Sequence, residues 1–227
     1  MSNASSIMHT STASLQRLLQ ANADPKLAGP MARYMRNQFP FFGIKTPERR
    51  ILFRQFTSSD LPSVCDTDRV VRELWQLPER EYQYVAIELV EKQVLQLPED
   101  FVQTLQHLIT SKSWWDTVDS LSKSVGLHFK RYPEAKANWL PRWRQSENIW
   151  LRRTALLFQL QYKDQTDFPL LCDIVRENLG SKEFFINKAI GWALRQHARH
   201  NSAAVKQFAD THKLHPLSRR EALKHVS

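Results

Sequence analysis

Glycine is scarce in this chain, at 5 of 227 residues. Glycine-rich phosphate-binding loops and numerous tight hairpins both depend on this residue, so the composition argues against them. The two cysteines, Cys65 and Cys172, lie far apart and have no metal-ligand pattern beside them. We therefore expect reduced, mostly buried thiols of the kind that cytosolic proteins carry.

Long apolar runs are also missing, because no segment approaches the roughly 18 residues that a membrane-spanning helix needs. The first 15 residues are polar and rich in Ser and Thr, so they do not have the apolar stretch of a signal peptide. We expect a cytoplasmic, monomeric protein with no membrane partner. Residues 1–11 are predicted to be disordered, and residues 12–227 to form one helical-repeat domain.

Positive charge is abundant but unevenly distributed along the sequence. Residues 1–113 carry 13 Lys and Arg against 12 Asp and Glu, whereas residues 114–227 carry 19 against 11, so the net charges are +1 and +8. A basic half favours a polyanion partner, because Lys and Arg release condensed counterions when they neutralise phosphates. A solvated basic surface without a specific partner is the alternative.

Helical periodicity dominates the chain, and no two-residue alternation typical of strands is found. Apolar residues recur three and four positions apart in several segments, which predicts amphipathic helices. The predicted helices cover residues 67–76, 82–95, 99–109, 115–129, 133–143, 149–160, 167–179, 184–200 and 202–212. Pro133 suits the first turn of its helix, Asn148 offers an N-cap, and Gly180 ends a helix.

The connectors between these helices are short, and two of them are nearly identical. Leu77-Pro78-Glu79 and Leu97-Pro98-Glu99 stand about 20 residues apart, as expected for a helix pair that repeats with a drifted sequence. We predict an all-α fold, a HEAT-like α-solenoid of antiparallel helix pairs with a concave basic face. An irregular all-helical domain is the alternative.

Unusual residues concentrate in two places, and the second of them combines two separate segments. In residues 113–119 (SWWDTVD), Trp115 and Asp119 are four positions apart and therefore share a helix face. Residues 150–153 (WLRR) open a later helix, and residues 184–195 supply Lys188, Trp192 and Arg195. The small residues beside Trp192 favour an accessible indole.

Structural interpretations compete for each of these residues. Trp115 and Trp192 suit a helical core, and Asp119 suits an ion pair with Lys123 four residues later. Asp116 is the competing carboxylate, although its place favours capping the start of a helix. The remaining tryptophans are interpreted as residues that pack between repeats: Trp139, Trp143 and Trp150. Residues 39–43 (FPFFG) are interpreted as a packed turn.

Taken together, these stretches resemble the AlkD-type DNA alkylation repair proteins, which are HEAT-like helical solenoids. Five blocks, in the family's order, carry the resemblance: residues 34–50 (YMRNQFPFFGIKTPERR), 113–119 (SWWDTVD), 150–153 (WLRR), 185–192 (FINKAIGW) and 217–222 (LSRREA). Each block alone is a modest signal, whereas all five span most of the chain.

The resemblance implies the site residues. Asp119 is expected to be the catalytic carboxylate, with the indoles of Trp115 and Trp192 around the sugar of the lesion. Arg153 is expected to contact phosphates beside the lesion, and its spacing to Trp192 favours it over Arg152. Further DNA-binding residues are expected along the same surface: Tyr34, Lys45, Thr46, Arg152, Lys188 and Arg195.

The implied activity is hydrolysis of the N-glycosidic bond of cationic N3- or N7-alkylated purines in double-stranded DNA, without a tight pocket for a flipped base. No metal, cofactor or membrane is expected to take part, and no Lys lies within the SWWDTVD motif to form a Schiff base. Two alternatives remain, a non-catalytic DNA-binding helical-repeat protein and a protein–protein scaffold.

Overall fold

The computed structural model of the chain describes residues 8–226, and within that range helices and turns occur without a β-strand. The all-α prediction is therefore confirmed. The chain divides into two compact units, Met1–Leu97 and Pro98–Ser227. Of the predicted disordered segment 1–11, residues 1–7 lie outside the described residues. Thr10 begins the first helix.

Five α-helices form the described part of the first unit: α1 (Thr10–Ala21), α2 (Pro25–Tyr34), α3 (Thr46–Ser59), α4 (Thr67–Gln76) and α5 (Arg80–Gln93). Helix α1 packs against α3 and α4, and α5 packs against α3 and α4. Leu15, Leu19, Leu74 and Trp75 fill the space between them and are at most 1% exposed. Burial of this apolar surface is what holds the short helices together, since helices of this length are marginal alone.

A buried carboxylate fixes the turn between α2 and α3. The side chain of Glu81, which is 0% exposed, accepts hydrogen bonds from the backbone amides of Phe42, Gly43 and Ile44 at 2.9–3.1 Å. Gly43 adopts a φ of +94°, which only glycine tolerates without strain. The packed turn predicted for residues 39–43 is therefore present, and the residue that organises it comes from α5.

Eight α-helices form the described part of the second unit: α6 (Val102–Thr110), α7 (Trp115–Arg131), α8 (Pro133–Arg144), α9 (Ile149–Leu157), α10 (Phe168–Glu177), α11 (Phe184–Ala198), α12 (Ser202–Thr211) and α13 (Pro216–Ala222). Helix α9 lies at the centre of this unit, in contact with α7 and α11 among others. Its residues 153–157 are buried. This stacking of helix on helix is consistent with the predicted helical-repeat arrangement.

Two packing details test individual expectations. Trp143 is 1% exposed and packs against Phe129 with the two rings tilted, as expected for a packing residue. Cys172 is buried as predicted, but Cys65 is exposed, because it lies in a short 3₁₀ turn ahead of α4. The expectation of a buried thiol was therefore wrong for Cys65.

Among residues 8–226, no helix has the length and apolar character that crossing a membrane requires.

Candidate functional site

The SWWDTVD motif begins helix α7, and its local structure sets the direction of the two predicted site residues. Trp114 is the extended N-cap residue and Trp115 the first helical residue. Thr117, Val118 and Leu121 are 0% exposed and anchor the helix to the core. Trp115 and Asp119, one helical turn apart, lie beside that buried face and remain partly exposed.

Asp119 pairs with Arg153 of α9 through two parallel hydrogen bonds. Arg153 Nε lies 2.7 Å from Oδ1, and Arg153 Nη2 lies 2.8 Å from Oδ2. This fork-to-fork geometry fixes the plane of the carboxylate as well as its position. The alternative pairing of Asp119 with Lys123 is thus replaced by a partner 34 residues away.

Arg153 itself is almost inaccessible to solvent. The residue is 3% exposed, and its Nη1 donates to the backbone carbonyl of Phe185 at the start of α11. Its guanidinium therefore links α7, α9 and α11 from behind the carboxylate, whose side chain keeps 17% of its surface exposed. The contact between Arg153 and a phosphate stays a prediction, although the bonds to Asp119 and Phe185 already engage all three nitrogens of the guanidinium.

Two opposing effects act on the pKa of Asp119. Burial raises the pKa of Asp119 above its ordinary value of 3.8, while the hydrogen bonds and charge of Arg153 oppose that shift. Asp116 adds a smaller upward contribution to the same pKa. Arg153 is therefore the group that favours the ionised form of this largely buried carboxylate.

Helix α11 contributes the remaining predicted residues from one face. Lys188, Trp192 and Arg195 follow each other at spacings of four and three, so they lie along one side of the helix. Together with α7 and α9 this face encloses an open cleft of about 270 Å³. Its lining residues are Trp115, Asp119, Arg153, Phe184, Phe185, Lys188, Trp192 and Arg195.

An aromatic cluster supports the start of α7 beside this cleft. The ring centroid of Trp114 lies 5.1 Å from that of Phe185 and 5.8 Å from that of Trp150, and Trp150 and Phe185 are 5.0 Å apart. Trp150, which we interpreted as a residue packing between repeats, thus packs directly behind the site. Edge-to-face and tilted pairs of this kind restrict the movement of the helix end.

Other predicted residues lie outside the cleft. Arg152 turns away from it and donates from Nη1 to the carbonyl of Ser146 at 2.8 Å, so Arg153 is the arginine of the WLRR motif that faces the cleft. Asp116 lies in the first turn of α7, where a carboxylate interacts favourably with the helix dipole. Neither residue lines the cleft.

Three predicted DNA-binding residues belong to the first unit. Tyr34 ends α2 and is 73% exposed, while Lys45 and Thr46 are the N-cap and first residue of α3 and are exposed. Their accessibility suits a contact with a large ligand. Their role in DNA binding remains a prediction.

Two lining or neighbouring groups have no role in the sequence-based interpretation. Phe184 is 59% exposed at the edge of the cleft, and Glu221 of α13 accepts hydrogen bonds from both Lys188 and Arg195. Glu221 lies within the LSRREA motif, but its partners are 26 and 33 residues away, so no local spacing indicates them.

In the part of the chain that the structure describes, no three His, Cys, Asp or Glu side chains are grouped as a metal site.

Comparison with known proteins finds similarity over most of the chain. A family model described as DNA alkylation repair enzyme matches residues 15–226. A solved structure from Enterococcus faecalis, described as a predicted DNA alkylation repair enzyme, is 34% identical in sequence with a TM-score of 0.83; the match covers 90% of this chain and 97% of that one.

A second solved structure shares the fold alone. It is smu.31 from Streptococcus mutans UA159, with 13% identity, a TM-score of 0.65 and coverage of 96% of this chain and 100% of that one. Comparison with curated proteins finds no match.

Proposed function

The chain belongs to the DNA alkylation repair enzyme family, and from that premise we propose that it is a monofunctional DNA glycosylase of the AlkD type. It hydrolyses the N-glycosidic bond of cationic N3- or N7-alkylated purines in double-stranded DNA, as a step of base excision repair. One observation carries the proposal: the Asp119 carboxylate is held by Arg153 at an accessible cleft that two indoles also line.

The chemistry of an alkylated purine explains why one carboxylate suffices. Alkylation at N3 or N7 gives the base a positive charge, so it departs as a neutral molecule and needs no general acid. The sugar is the group that requires help, because it takes on oxocarbenium character as the bond breaks. A fixed carboxylate beside the sugar stabilises that charge and orients the attacking water, as a reduced form of the two-carboxylate glycosidase arrangement.

We assign each residue a separate task in this reaction. Asp119 contacts the sugar, and the indoles of Trp115 and Trp192 add attraction of about 0.5–2 kcal/mol each for a cationic centre above a ring face. Arg153 acts through Asp119, since its two hydrogen bonds orient the carboxylate and favour its ionised form. We accordingly treat Arg153 as a positioning residue.

Binding of the DNA backbone is assigned to the cations of the cleft and to exposed residues elsewhere. Lys188 and Arg195 line the cleft beside Trp192, where they suit the phosphates next to the lesion. Arg152, Tyr34, Lys45 and Thr46 are proposed as additional DNA contacts. The cleft is open, and Phe184 at its edge is 59% exposed, which favours recognition of the lesion through its charge without enclosure of the base.

A comparison of cationic and neutral lesions tests this proposal. We expect the protein to release 7-methylguanine from a duplex and to leave hypoxanthine, a neutral base, in the same sequence context. Equal release of both bases would contradict recognition by charge. Salt-dependent binding without release of 7-methylguanine would favour a DNA-binding protein that has no catalytic activity.

A further inference from the structure

Glu221 forms the second carboxylate-centred ion network at the edge of the cleft. Its Oε1 accepts a hydrogen bond of 2.8 Å from Lys188 Nζ, and its Oε2 accepts one from Arg195 Nη1. Each carboxylate oxygen therefore binds one cation, and the two cations flank Trp192 on α11. The Lys188 hydrogen bond is the main cause of the lowered pKa of Glu221, so the carboxylate is ionised at neutral pH.

The position of Glu221 is set by close packing of α13 on α11. A Cβ atom at Gly191 would approach Glu221 Cβ to 2.5 Å and the Ser218 carbonyl to 2.9 Å, so the two helices meet where glycine leaves room. Ser218 Oγ also donates to the Asn187 carbonyl at 2.8 Å. The Glu221 side chain is 15% exposed, and the packing of α13 on α11 holds it beside Lys188 and Arg195.

Lys188 and Arg195 are the kind of side chains that bind a phosphate, and here they already bind an anion, the carboxylate of Glu221. A carboxylate and a phosphodiester each present two oxygens that share a negative charge, and Lys and Arg bind both groups. Lys188 keeps 39% of its side chain exposed and has three ammonium hydrogens, so it can reach an external anion. Glu221 meanwhile neutralises one of the two positive charges that the pair would otherwise offer.

We propose that Glu221 is an intramolecular substitute for a DNA phosphate, which occupies Lys188 and Arg195 in the free protein and competes with the duplex for them. This inference rests on the proposed function, because it takes the DNA backbone as the ligand of the two cations. Its consequence is weaker binding to undamaged duplex than the cations alone would give. The protein then dissociates more readily from undamaged DNA, while Lys188 and Arg195 still lie where they can bind phosphates beside a lesion.

Glu221→Gln tests the competition, because it removes the negative charge and keeps the shape of the side chain. We expect binding to an undamaged duplex to tighten about three- to fivefold at low salt, the range of a partly exposed ion pair. The slope of log affinity against log salt should steepen by about 0.9, which corresponds to one additional neutralised phosphate. Fluorescence anisotropy at several salt concentrations measures both quantities, with circular dichroism as a check of folding.

Glu177→Gln is the matched control, since Glu177 also accepts a hydrogen bond from an arginine (Arg144, 2.7 Å), but Arg144 does not line the cleft, whereas Lys188 and Arg195 do. It makes the same change in net charge and should leave affinity and slope near the wild-type values. Lys188→Gln provides a second variant, and in that background Glu221→Gln should have a smaller effect, because Arg195 is then the remaining cation of the pair that it releases.

The possible results distinguish a failure of the competition by Glu221 from a failure of the proposed function. If Glu221→Gln binds no more tightly than Glu177→Gln, or if its gain persists undiminished without Lys188, competition by Glu221 is wrong although the proposed function stands. If the wild-type protein shows no salt-dependent binding to DNA, the proposed function fails and the inference fails with it.

Discussion

At the scale of single residues, Asp119 and Arg153 are best understood as one unit. The spacing of Trp115 and Asp119 on a helix is readable from the sequence, and both residues do line the cleft. The partner of Asp119 is not readable in this way, because Arg153 reaches it from another helix and Lys123 offered a plausible local alternative. The sequence does not indicate the partners of Glu221 for the same reason, since ion pairs across helices leave no periodic signal.

The pair makes a prediction about stability that can be separated from activity. Asp119→Asn leaves the buried Arg153 without its anionic partner, so we expect the free energy of unfolding to fall by about 3 kcal/mol, the lower end of the range for a broken buried pair. Adding Arg153→Met removes the orphaned charge and should recover part of that loss, while base release stays abolished. Urea denaturation of both variants measures this, and a double variant less stable than Asp119→Asn would contradict the assignment.

The pair also predicts a shift in pH dependence. Burial raises the pKa of Asp119 and Arg153 opposes that rise, so Arg153→Gln should raise the pKa further. The proposed mechanism requires the ionised carboxylate. As the solution is acidified, the rate of base release should therefore begin to fall at a higher pH in the variant than in the wild type. Single-turnover rates across mildly acidic to neutral pH give the two profiles, and coincident acid limbs would show that Arg153 does not favour ionisation.

At the scale of elements, the sequence predicts the helices well where they carry an apolar stripe. The predicted helix at residues 67–76 matches α4, and the predicted starts of α7, α8, α9, α11 and α12 agree with the structure. Helices α1, α2, α3 and α13 were not predicted. Helix α2 contains Pro25 and Pro30 and buries none of its residues, and α13 is only 7 residues long, so neither offers the long apolar stripe on which the predictions depend.

The turn between α2 and α3 gives a prediction at this scale. Gly43→Ala would force a side chain into a left-handed conformation and bring its Cβ to 2.1 Å from the Asp24 carbonyl. We expect a loss of at least about 2 kcal/mol in the free energy of unfolding, the sum of backbone strain and steric displacement. Gly180→Ala is the matched control, because Gly180 has a φ of +79° but no atom within 4 Å of the added Cβ.

The control should therefore cost only about 1 kcal/mol, which is the backbone contribution alone. Thermal or urea unfolding of the two variants in parallel separates strain from crowding. Equal losses in both variants would mean that the close approach of Asp24 to Gly43 contributes nothing to stability.

At the scale of the whole molecule, the distribution of charge along the sequence is what best indicates the class of partner. The net charge of +8 over residues 114–227 coincides with the half of the chain that contains the cleft. The sequence could not show that some of this charge is neutralised locally, as Asp119 and Glu221 do for Arg153, Lys188 and Arg195. Composition therefore indicates the class of partner, and the contacts decide how many cations remain available to it.

The charge distribution predicts how binding responds to salt. The affinity of the wild-type protein for an undamaged duplex should fall linearly on a log–log scale as salt rises, by about 0.9 for each phosphate it neutralises. Fluorescence anisotropy with a labelled duplex measures the slope. A flat response would instead favour the protein–protein scaffold.

The measurement that tests the central claim most directly is the single-turnover release of 7-methylguanine from duplex DNA by the wild type and by Asp119→Asn. The spontaneous rate is subtracted, and DNA binding by both proteins is verified at low salt. The account predicts release by the wild type and a loss of about 10²-fold or more in the variant, with binding largely retained. Release by Asp119→Asn at nearly the wild-type rate would contradict the catalytic role of this carboxylate.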